Sequence, residues 1–239
     1  GCGKVSGPRM EKAGVCDVKL LLFDHNFNYD EKDGQNNYPL NVYADPEAYR
    51  WSDGSAWHSY GGHVSELDEI SATYPEKSIY FTEASIGEWN YKFADCLMND
   101  FSSLFLGTLK RNGQGVTLWN MVLDDNNGPY SPQDGSCKTC YGGVTIKSSD
   151  YKSITKNSHW FNVAHASAVV KPGARMMETS SFNYPSGFEC QMYLNPDGTV
   201  GVLILNNQSS VQQMVFVNDS FTVKYNVPAK ALVSLIWQE

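Results

Sequence analysis

Short apolar runs alternate with stretches of helical periodicity over the first two thirds of the chain. Apolar runs of roughly four to eight residues, bounded by polar ones, are typical of strands buried on both faces. Apolar residues that recur at three- and four-residue spacing indicate amphipathic helices. The alternation predicts a parallel sheet with right-handed crossovers. Its strands are predicted at 18–23, 55–60, 78–81 and 115–122, and the helices at 64–73, 91–111 and 158–170.

The pattern changes after Pro172-Gly173, where the helical periodicity stops. Asn195-Pro-Asp-Gly198 predicts a hairpin turn, because glycine readily adopts the positive φ that tight turns require. We therefore predict an α/β domain at 1–172 followed by a small antiparallel all-β domain at 173–239. The predicted strands of the second domain are 188–193, 199–205, 211–217, 221–225 and 229–237.

Composition and charge exclude three classes of protein. The 239 residues include 18 Lys and Arg against 26 Asp and Glu, a net charge of −8, and 13% are aromatic. Disordered chains are poor in aromatic residues, and a membrane-spanning helix needs about 20 consecutive apolar residues. Nucleic-acid binding requires clustered Lys and Arg. Since the sequence has neither such a run nor such a cluster, we expect a folded, acidic protein with no membrane span and no nucleic-acid partner.

Among the six cysteines, only Cys137 and Cys140 lie close together, in a long loop rich in Asp, Asn, Gly and Pro. Three states are open for this pair: a disulfide that staples the loop, two free thiols, or part of a zinc site. Zinc would need two further ligands at a suitable spacing. The nearest histidines, His159 and His165, lie in the helix predicted at 158–170.

Polar and aromatic residues follow the predicted parallel strands where each strand ends. In parallel α/β folds, ligands bind at the carboxyl ends of the strands. The carboxylate of Glu83 is either a nucleophile or general base, or a structural group satisfied by a neighbour. Indole rings stack on sugars and polar groups bind hydroxyls, so the combination resembles a sugar site. The residues concerned are Asp24, His25, His58, Tyr60, Glu83, Trp119 and Asn120.

Five motifs, in order along the chain, resemble glycoside hydrolase family 30, the family of glucosylceramidases and related bacterial β-glycosidases. Each motif alone is weak, but their order, with helices between them, is specific. The resemblance extends from about residue 6 to the end of the chain. The motifs are Asp24-His25-Asn26, Asp45-Pro46-Glu47-Ala48, Gly54-Ser-Ala-Trp-His58-Ser-Tyr60, Phe81-Thr-Glu83-Ala-Ser-Ile-Gly87, and Leu118-Trp119-Asn120 with Gly128-Pro129.

This resemblance implies a retaining glycosidase on a (β/α)8 TIM barrel that carries a small β-sandwich. It implies that Glu83 is the catalytic nucleophile at the end of the seventh barrel strand. A similar loop in bacterial members favours a disulfide between Cys137 and Cys140. The implied sugar-binding residues are Asp24 and His25 after the fifth strand, His58 and Tyr60 after the sixth, and Trp119 and Asn120 after the eighth.

One departure from the family pattern affects the chemistry. Retaining hydrolysis needs two carboxyl groups roughly 5–5.5 Å apart, and the family's acid/base is a Glu in an Asn-Glu-Pro-like motif after the fourth strand. No Asn-Glu pair occurs in the sequence, and Glu11 matches the helix just before strand five. We therefore expect strands five to eight of a barrel, as an open sheet with the strand at 18–23 unpaired on its outer side. Such a chain should be aggregation-prone and close to inactive by itself.

Two functions are consistent with these residues. The first is retaining hydrolysis of β-glycosidic bonds in a carbohydrate or glycolipid, with the choice among glucosylceramide, β-glucan and xylan left open. The alternative is a non-catalytic carbohydrate-binding protein on a degenerate glycosidase fold. We expect no metal and no organic cofactor, because an oxocarbenium-like transition state needs only two carboxyl groups and hydrogen bonds. The acidic charge fits a secreted or periplasmic protein.

Overall fold

The structure, a computed structural model, describes residues 2–15, 17–30, 34–179, 184–217 and 222–238. The chain divides into two compact units. Residues 1–85 and 107–119 form the first unit, and residues 86–106 and 120–239 form the second. Residue 221, where the fourth strand of the predicted β-domain begins, lies outside the described residues.

Helices and strands alternate early in the chain, and strands dominate its end. A 3-10 turn, Val64–Glu66, precedes α4, and a π-helical segment, Phe101–Leu106, joins α5 to α6. The helices are α1 (Cys2–Lys12), α2 (Tyr38–Tyr43), α3 (Pro46–Trp51), α4 (Leu67–Thr73), α5 (Phe93–Asp100), α6 (Gly107–Leu109) and α7 (Ser158–Val169). The strands are β1 (Leu21–Asn26), β2 (Gly54–His58), β3 (Ser78–Glu83), β4 (Ile86–Gly87), β5 (Gly113–Val116), β6 (Val122–Asp124), β7 (Cys140–Tyr141), β8 (Val144–Ile146), β9 (Ile154–Lys156), β10 (Arg175–Met176), β11 (Phe188–Leu194), β12 (Thr199–Asn206), β13 (Gln212–Val217), β14 (Thr222–Val227) and β15 (Ala231–Gln238).

The first unit is built on a sheet of four parallel strands in the order β1-β2-β3-β5. Trp57, Ile79 and Phe81 are fully buried in β2 and β3. Along β3, buried residues alternate with partly exposed ones. The helix α4 buries Leu67 and Ile70. Within the described ranges, β1 pairs with β2 alone. The predicted parallel sheet with an open first strand is therefore confirmed.

The fourth parallel strand is shorter than predicted. The strand expected at 115–122 is β5, which ends at Val116, and Val122 begins β6 in a different sheet. Between them the backbone bonds at separate points, among them Thr117 N to Phe81 O and Trp119 N to Ala84 O, both at 2.8 Å. The apolar run was misleading because it continues after the strand ladder has ended.

The long helix predicted at 91–111 is three segments. It consists of α5, the π-helical segment and α6. The rings of Phe101 and Phe105 stack with centroids 5.2 Å apart, and both residues are buried. Apolar spacing predicted the buried face correctly, but that spacing does not distinguish α-helical from π-helical hydrogen bonding.

The second unit contains the antiparallel sheets predicted for the end of the chain. One sheet has the order β10-β11-β12-β15, and β13 pairs with β14. The helix α7 packs on β12 and β15, and a Cβ at Gly201 would collide with the carbonyl of Val169. The buried core consists of Phe188, Val200, Val202, Ile204, Met214, Phe216 and Val227.

Lys77 holds the start of β3 against the end of α3. The residue is only 8% exposed, and Nζ donates to the carbonyl oxygens of Tyr49 at 2.8 Å and Ser52 at 2.7 Å. Nζ also lies 3.5 Å from the centroid of the Tyr49 ring, a cation–π contact. Burial lowers the pKa of the Lys77 amine, because the charged form is poorly hydrated there. The contact anchors the strand that ends at Glu83.

Lys77→Met keeps the length of the side chain but leaves the two carbonyl groups without their charged donor. We expect the free energy of unfolding to fall by about 2 kcal/mol, measured by urea unfolding with tryptophan fluorescence. Lys110→Met changes an exposed lysine of the same unit and should alter the free energy of unfolding by less than about 0.5 kcal/mol. Equal stability of the two variants would contradict this structural role.

Candidate active site

Two successive residues in β1 have left-handed backbone conformations. The φ angle is 78° at Phe23 and 55° at Asp24, and the pairing of β1 with β2 shifts register between Phe23 and His25. Such conformations cost on the order of 1 kcal/mol or more at non-glycine residues, so neighbouring contacts must hold them. The centroid of the Phe23 ring lies 5.0 Å from that of Trp57 and 5.8 Å from that of Tyr38. Asp24 is thus the extra residue of a bulge, which redirects its side chain.

Asp24, in β1, accepts hydrogen bonds from side chains of β2 and β3. Its Oδ1 lies 3.1 Å from His58 Nε2 at the end of β2 and 2.8 Å from Thr82 Oγ1 in β3. Because an ionised carboxylate can only accept, His58 carries a proton on Nε2. The His58 side chain is 13% exposed and that of Asp24 is 67% exposed. Asp24 therefore orients His58 and joins the ends of three adjacent strands.

Glu83, the last residue of β3, accepts a hydrogen bond from Tyr60. Tyr60 Oη lies 3.1 Å from Glu83 Oε1 and 2.7 Å from Ser85 Oγ. Since tyrosine has one hydroxyl proton, Ser85 donates to Tyr60 while Tyr60 donates to Glu83. Asn26 Oδ1 accepts from Tyr60 N at 3.0 Å and so fixes the backbone that carries the ring.

The hydroxyl of Tyr60 is held in its protonated form. Burial is the main cause that raises the pKa of Tyr60 to about 12; the hydrogen bond with Ser85 opposes the rise, and the Glu83 carboxylate adds to it. The ring is nevertheless half-exposed. At neutral pH the hydroxyl therefore remains a donor to Glu83.

The Glu83 carboxylate has one oxygen held and one oxygen available. Oε2 has no hydrogen-bond partner among the residues that the structure describes. The side chain is half-buried in its unit. A carboxylate oriented through one oxygen can attack an electrophilic carbon with the other.

The first unit contains six of the seven predicted sugar-site residues. His25 is exposed, with its ring centroid 6.3 Å from that of His58. Trp119 is 46% exposed, and its backbone N–H donates to the carbonyl oxygen of Ala84. Trp57 is instead fully buried, with Nε1 donating to a serine of its own strand, so it is a core residue. The six are Asp24, His25, His58, Tyr60, Glu83 and Trp119.

Asn120 belongs to the second unit. Its backbone carbonyl accepts from Gly143 N at 2.8 Å, and its Oδ1 is buried without a hydrogen-bond partner in the described part of the chain. Sequence reasoning did not identify Thr82, Ser85 or Asn26 as members of the network around Glu83. Their proximity to Glu83 and Asp24 in the chain was the available signal, because residues at adjoining strand ends share one edge of the sheet.

The loop that follows β6 is cross-linked within the second unit. Cys137 and Cys140 form a disulfide, which leaves neither sulfur as a thiolate for zinc. Among the described residues, no group of three or more His, Cys, Asp or Glu side chains is arranged to hold a metal ion. The helices within the described ranges are all too short or too polar to cross a bilayer.

Family comparisons agree with this fold. Residues 4–169 match the TIM-barrel domain of glycosyl hydrolase family 30, and residues 173–235 match the β-sandwich domain of the same family. The chain therefore belongs to glycoside hydrolase family 30, whose TIM-barrel and β-sandwich domains it matches in turn.

The relatives include two kinds of glycosidase. An endo-1,6-β-D-glucanase of Neurospora crassa is 29% identical over 209 residues, covering 84% of this chain and 40% of the relative. A glucosylceramidase-like protein of Caenorhabditis elegans is 27% identical, covering 93% of this chain and 43% of the relative. A solved endo-β1,6-glucanase structure superposes with a TM-score of 0.92 at 40% identity, covering 99% of this chain and 52% of that one. The chain thus spans about half the length of the proteins it matches.

Tyr60→Phe should make the alkaline loss of stability shallower. The pKa of Tyr60 is raised from 10.0 to about 12 in the folded protein, so the folded state retains a proton that the unfolded state loses. Its stabilising contribution is complete below about pH 10 and is lost as the pH rises towards 12. Urea unfolding between pH 9 and pH 11.5 measures this dependence. Tyr151→Phe, at a 73% exposed tyrosine, is the control, and equal pH slopes for Tyr60→Phe and the unsubstituted protein would contradict the assignment.

Proposed function

We propose that this chain carries the nucleophile and part of the sugar site of a retaining β-glycosidase. The observation that carries the proposal is the hydrogen bond from Tyr60 Oη to Glu83 Oε1, 3.1 Å long, which leaves Oε2 available at the end of a buried strand. Glu83 attacks the anomeric carbon and forms a covalent glycosyl-enzyme, which water then hydrolyses. The Tyr60 hydroxyl orients the carboxylate before attack and remains protonated throughout.

The second carboxyl group of the mechanism belongs, in this proposal, to a part of the barrel outside these 239 residues. Protonation of the leaving oxygen and later activation of water both need that group. The proposal assigns β1, β2, β3 and β5 to strands five, six, seven and eight of the barrel. It assigns residues 1–172 to the barrel domain and 173–239 to the β-sandwich. The family matches at 4–169 and 173–235 support this division.

The remaining site residues bind the sugar. His58, oriented by Asp24, presents its free imidazole edge to hydroxyl groups, and His25 extends the same edge of the sheet. Trp119 offers an exposed indole face on which the C–H face of a pyranose can stack. We assign Asn120 to the same sugar site on the basis of the family motif alone.

The substrate that we propose is a β1,6-linked glucan. The two endo-β1,6-glucanases among the relatives support this choice, and the solved one is 40% identical to this chain. Glucosylceramide is the second candidate, because the glucosylceramidase-like protein matches 93% of this chain at 27% identity. We place the protein outside the cytoplasm, in the secreted or periplasmic class, since a disulfide such as Cys137–Cys140 persists in oxidising compartments.

Glu83→Ala in the full-length protein tests the role of the carboxylate. We expect kcat/KM on a β1,6-glucan to fall roughly a thousandfold or more, and added azide to restore turnover of an activated β-glucoside by taking the place of the missing nucleophile. The glycosyl azide formed should have the α configuration, because only one displacement occurs. Glu76→Ala, at an exposed carboxylate before β3, is the matched control. Activity of Glu83→Ala within tenfold of the unsubstituted enzyme would refute the assignment.

The 239-residue chain by itself should bind a glucose-configured iminosugar weakly and turn over β-glucosides at close to the background rate, because one of the two carboxyl groups is absent. Product release measured by reducing-sugar assay checks this expectation. Robust turnover by the purified chain would overturn the proposed division of the two carboxyl groups. Tight iminosugar binding by a full-length protein that hydrolyses nothing would favour the non-catalytic alternative.

A further inference from the structure

Ser85 and the carboxylate of Glu83 share the hydroxyl of Tyr60. Ser85 Oγ lies 2.7 Å from Tyr60 Oη, and Tyr60 Oη lies 3.1 Å from Glu83 Oε1. Glu83 and Ser85 are two residues apart, so the alternation of an extended chain turns both side chains the same way. Ala84, between them, is buried. One tyrosine hydroxyl can therefore contact both residues.

The fold holds the backbone on both sides of the contact between the two hydroxyl groups. Ser85 forms an isolated parallel bridge with Trp119, and Trp119 N donates to Ala84 O at 2.8 Å. Tyr60 N donates to Asn26 Oδ1 at 3.0 Å. Because both backbones are fixed, little reorganisation is needed to keep Ser85 Oγ at hydrogen-bonding distance from Tyr60 Oη during a reaction.

The hydrogen bonds run in one direction, from Ser85 to Tyr60 to Glu83. An ionised carboxylate can only accept, and it takes the single hydroxyl proton of the tyrosine, so the Tyr60 oxygen accepts from the serine. Burial raises the pKa of Tyr60 to about 12, and the hydrogen bond with Ser85 opposes that rise. A hydroxyl that accepts a hydrogen bond becomes a better donor, since the bonds of a chain polarise one another. Ser85 therefore strengthens the hydrogen bond that Glu83 receives.

We propose that Ser85 is a positioning residue that acts through Tyr60 on the second step of the reaction, the hydrolysis of the glycosyl-enzyme. This role rests on the proposed function of Glu83. In the second step water attacks the anomeric carbon, the bond from that carbon to Glu83 Oε2 breaks, and its electron pair returns to the carboxylate. The proton of the water passes to the second carboxyl group of the mechanism, which is ionised at this stage.

The charge on Glu83 changes in opposite directions in the two steps. The carboxylate loses negative charge as it attacks, so a hydrogen bond to Oε1 stabilises the ground state of the first step more than its transition state. The carboxylate regains negative charge as it leaves, and the same hydrogen bond then becomes stronger in the transition state. Polarisation of Tyr60 by Ser85 therefore favours the departure of Glu83 and not its attack.

A 2-deoxy-2-fluoro glucoside with a good leaving group measures the two steps separately. The rate at which this reagent inactivates the full-length protein reports the attack of Glu83, and the recovery of activity after its removal reports the departure of Glu83. Ser85→Ala should recover about fivefold more slowly than the unsubstituted protein, the scale of one weakened charge-assisted hydrogen bond. Its rate of inactivation should stay within about twofold.

A second comparison, in the Tyr60→Phe background, separates this role from a purely structural one. Because Ser85 acts through the tyrosine hydroxyl, Ser85→Ala should slow recovery by less than about twofold when that hydroxyl is already missing. The matched control is Ser71→Ala, which removes a serine hydroxyl that donates to Asp68 O in the same unit. Ser71→Ala should change neither rate.

Three results would overturn the role of Ser85. They are recovery of Ser85→Ala at the rate of the unsubstituted protein, equal slowing of inactivation and recovery, and an undiminished effect of Ser85→Ala in the Tyr60→Phe background. Absence of any covalent glycosyl label on the unsubstituted full-length protein would instead overturn the proposed nucleophile. The two failures are distinguishable, because the first three results all require that the label forms.

Discussion

The displaced register at the end of β1 is the constraint on which the site depends. An unbroken strand would continue the alternation of side chains to the two faces of the sheet, whereas the bulge at Asp24 turns its carboxylate towards β2 and β3. The left-handed conformations of Phe23 and Asp24 cost free energy, and the packing of Phe23 on the buried Trp57 offsets that cost. Packing in the core of the sheet therefore stabilises a strained segment, and Asp24 in that segment orients His58.

A second network orients the carboxylate at the end of β3. Tyr60 is held through its backbone by Asn26 and through its hydroxyl by Ser85 and Glu83. Its raised pKa ensures that the hydroxyl donates to the carboxylate at neutral pH. In the proposed mechanism, the hydrogen bond that orients Glu83 through Oε1 leaves Oε2 for the attack. Positioning by a neutral donor suits the proposed role of Glu83, because a nearby cation would stabilise a carboxylate nucleophile too strongly in the ground state.

The sequence predicted which helices and strands form better than it predicted where they end. It also indicated candidate site residues better than it indicated which groups they contact. The strand β3 was predictable from its short run Ile79-Tyr80-Phe81, and Glu83 stood out as a carboxylate that follows this run. The bulge at Asp24 was not predictable, since no glycine or asparagine marks the left-handed residues and Phe23 is an unusual choice there. The end of β5 was missed because apolar residues continue beyond Val116, although the ladder stops. Long-range partners such as Thr82 with Asp24 depend on register, which the order of residues alone does not specify.

Covalent labelling tests the central claim, that Glu83 is the nucleophile of a retaining glycosidase, most directly. A 2-deoxy-2-fluoro glucoside with a good leaving group slows the second step of the reaction, so that the glycosyl-enzyme accumulates. Peptide mapping of the labelled full-length protein should find a single modified residue, Glu83, in the peptide that contains Phe81-Thr82-Glu83. A label on any other residue of the protein would contradict the account.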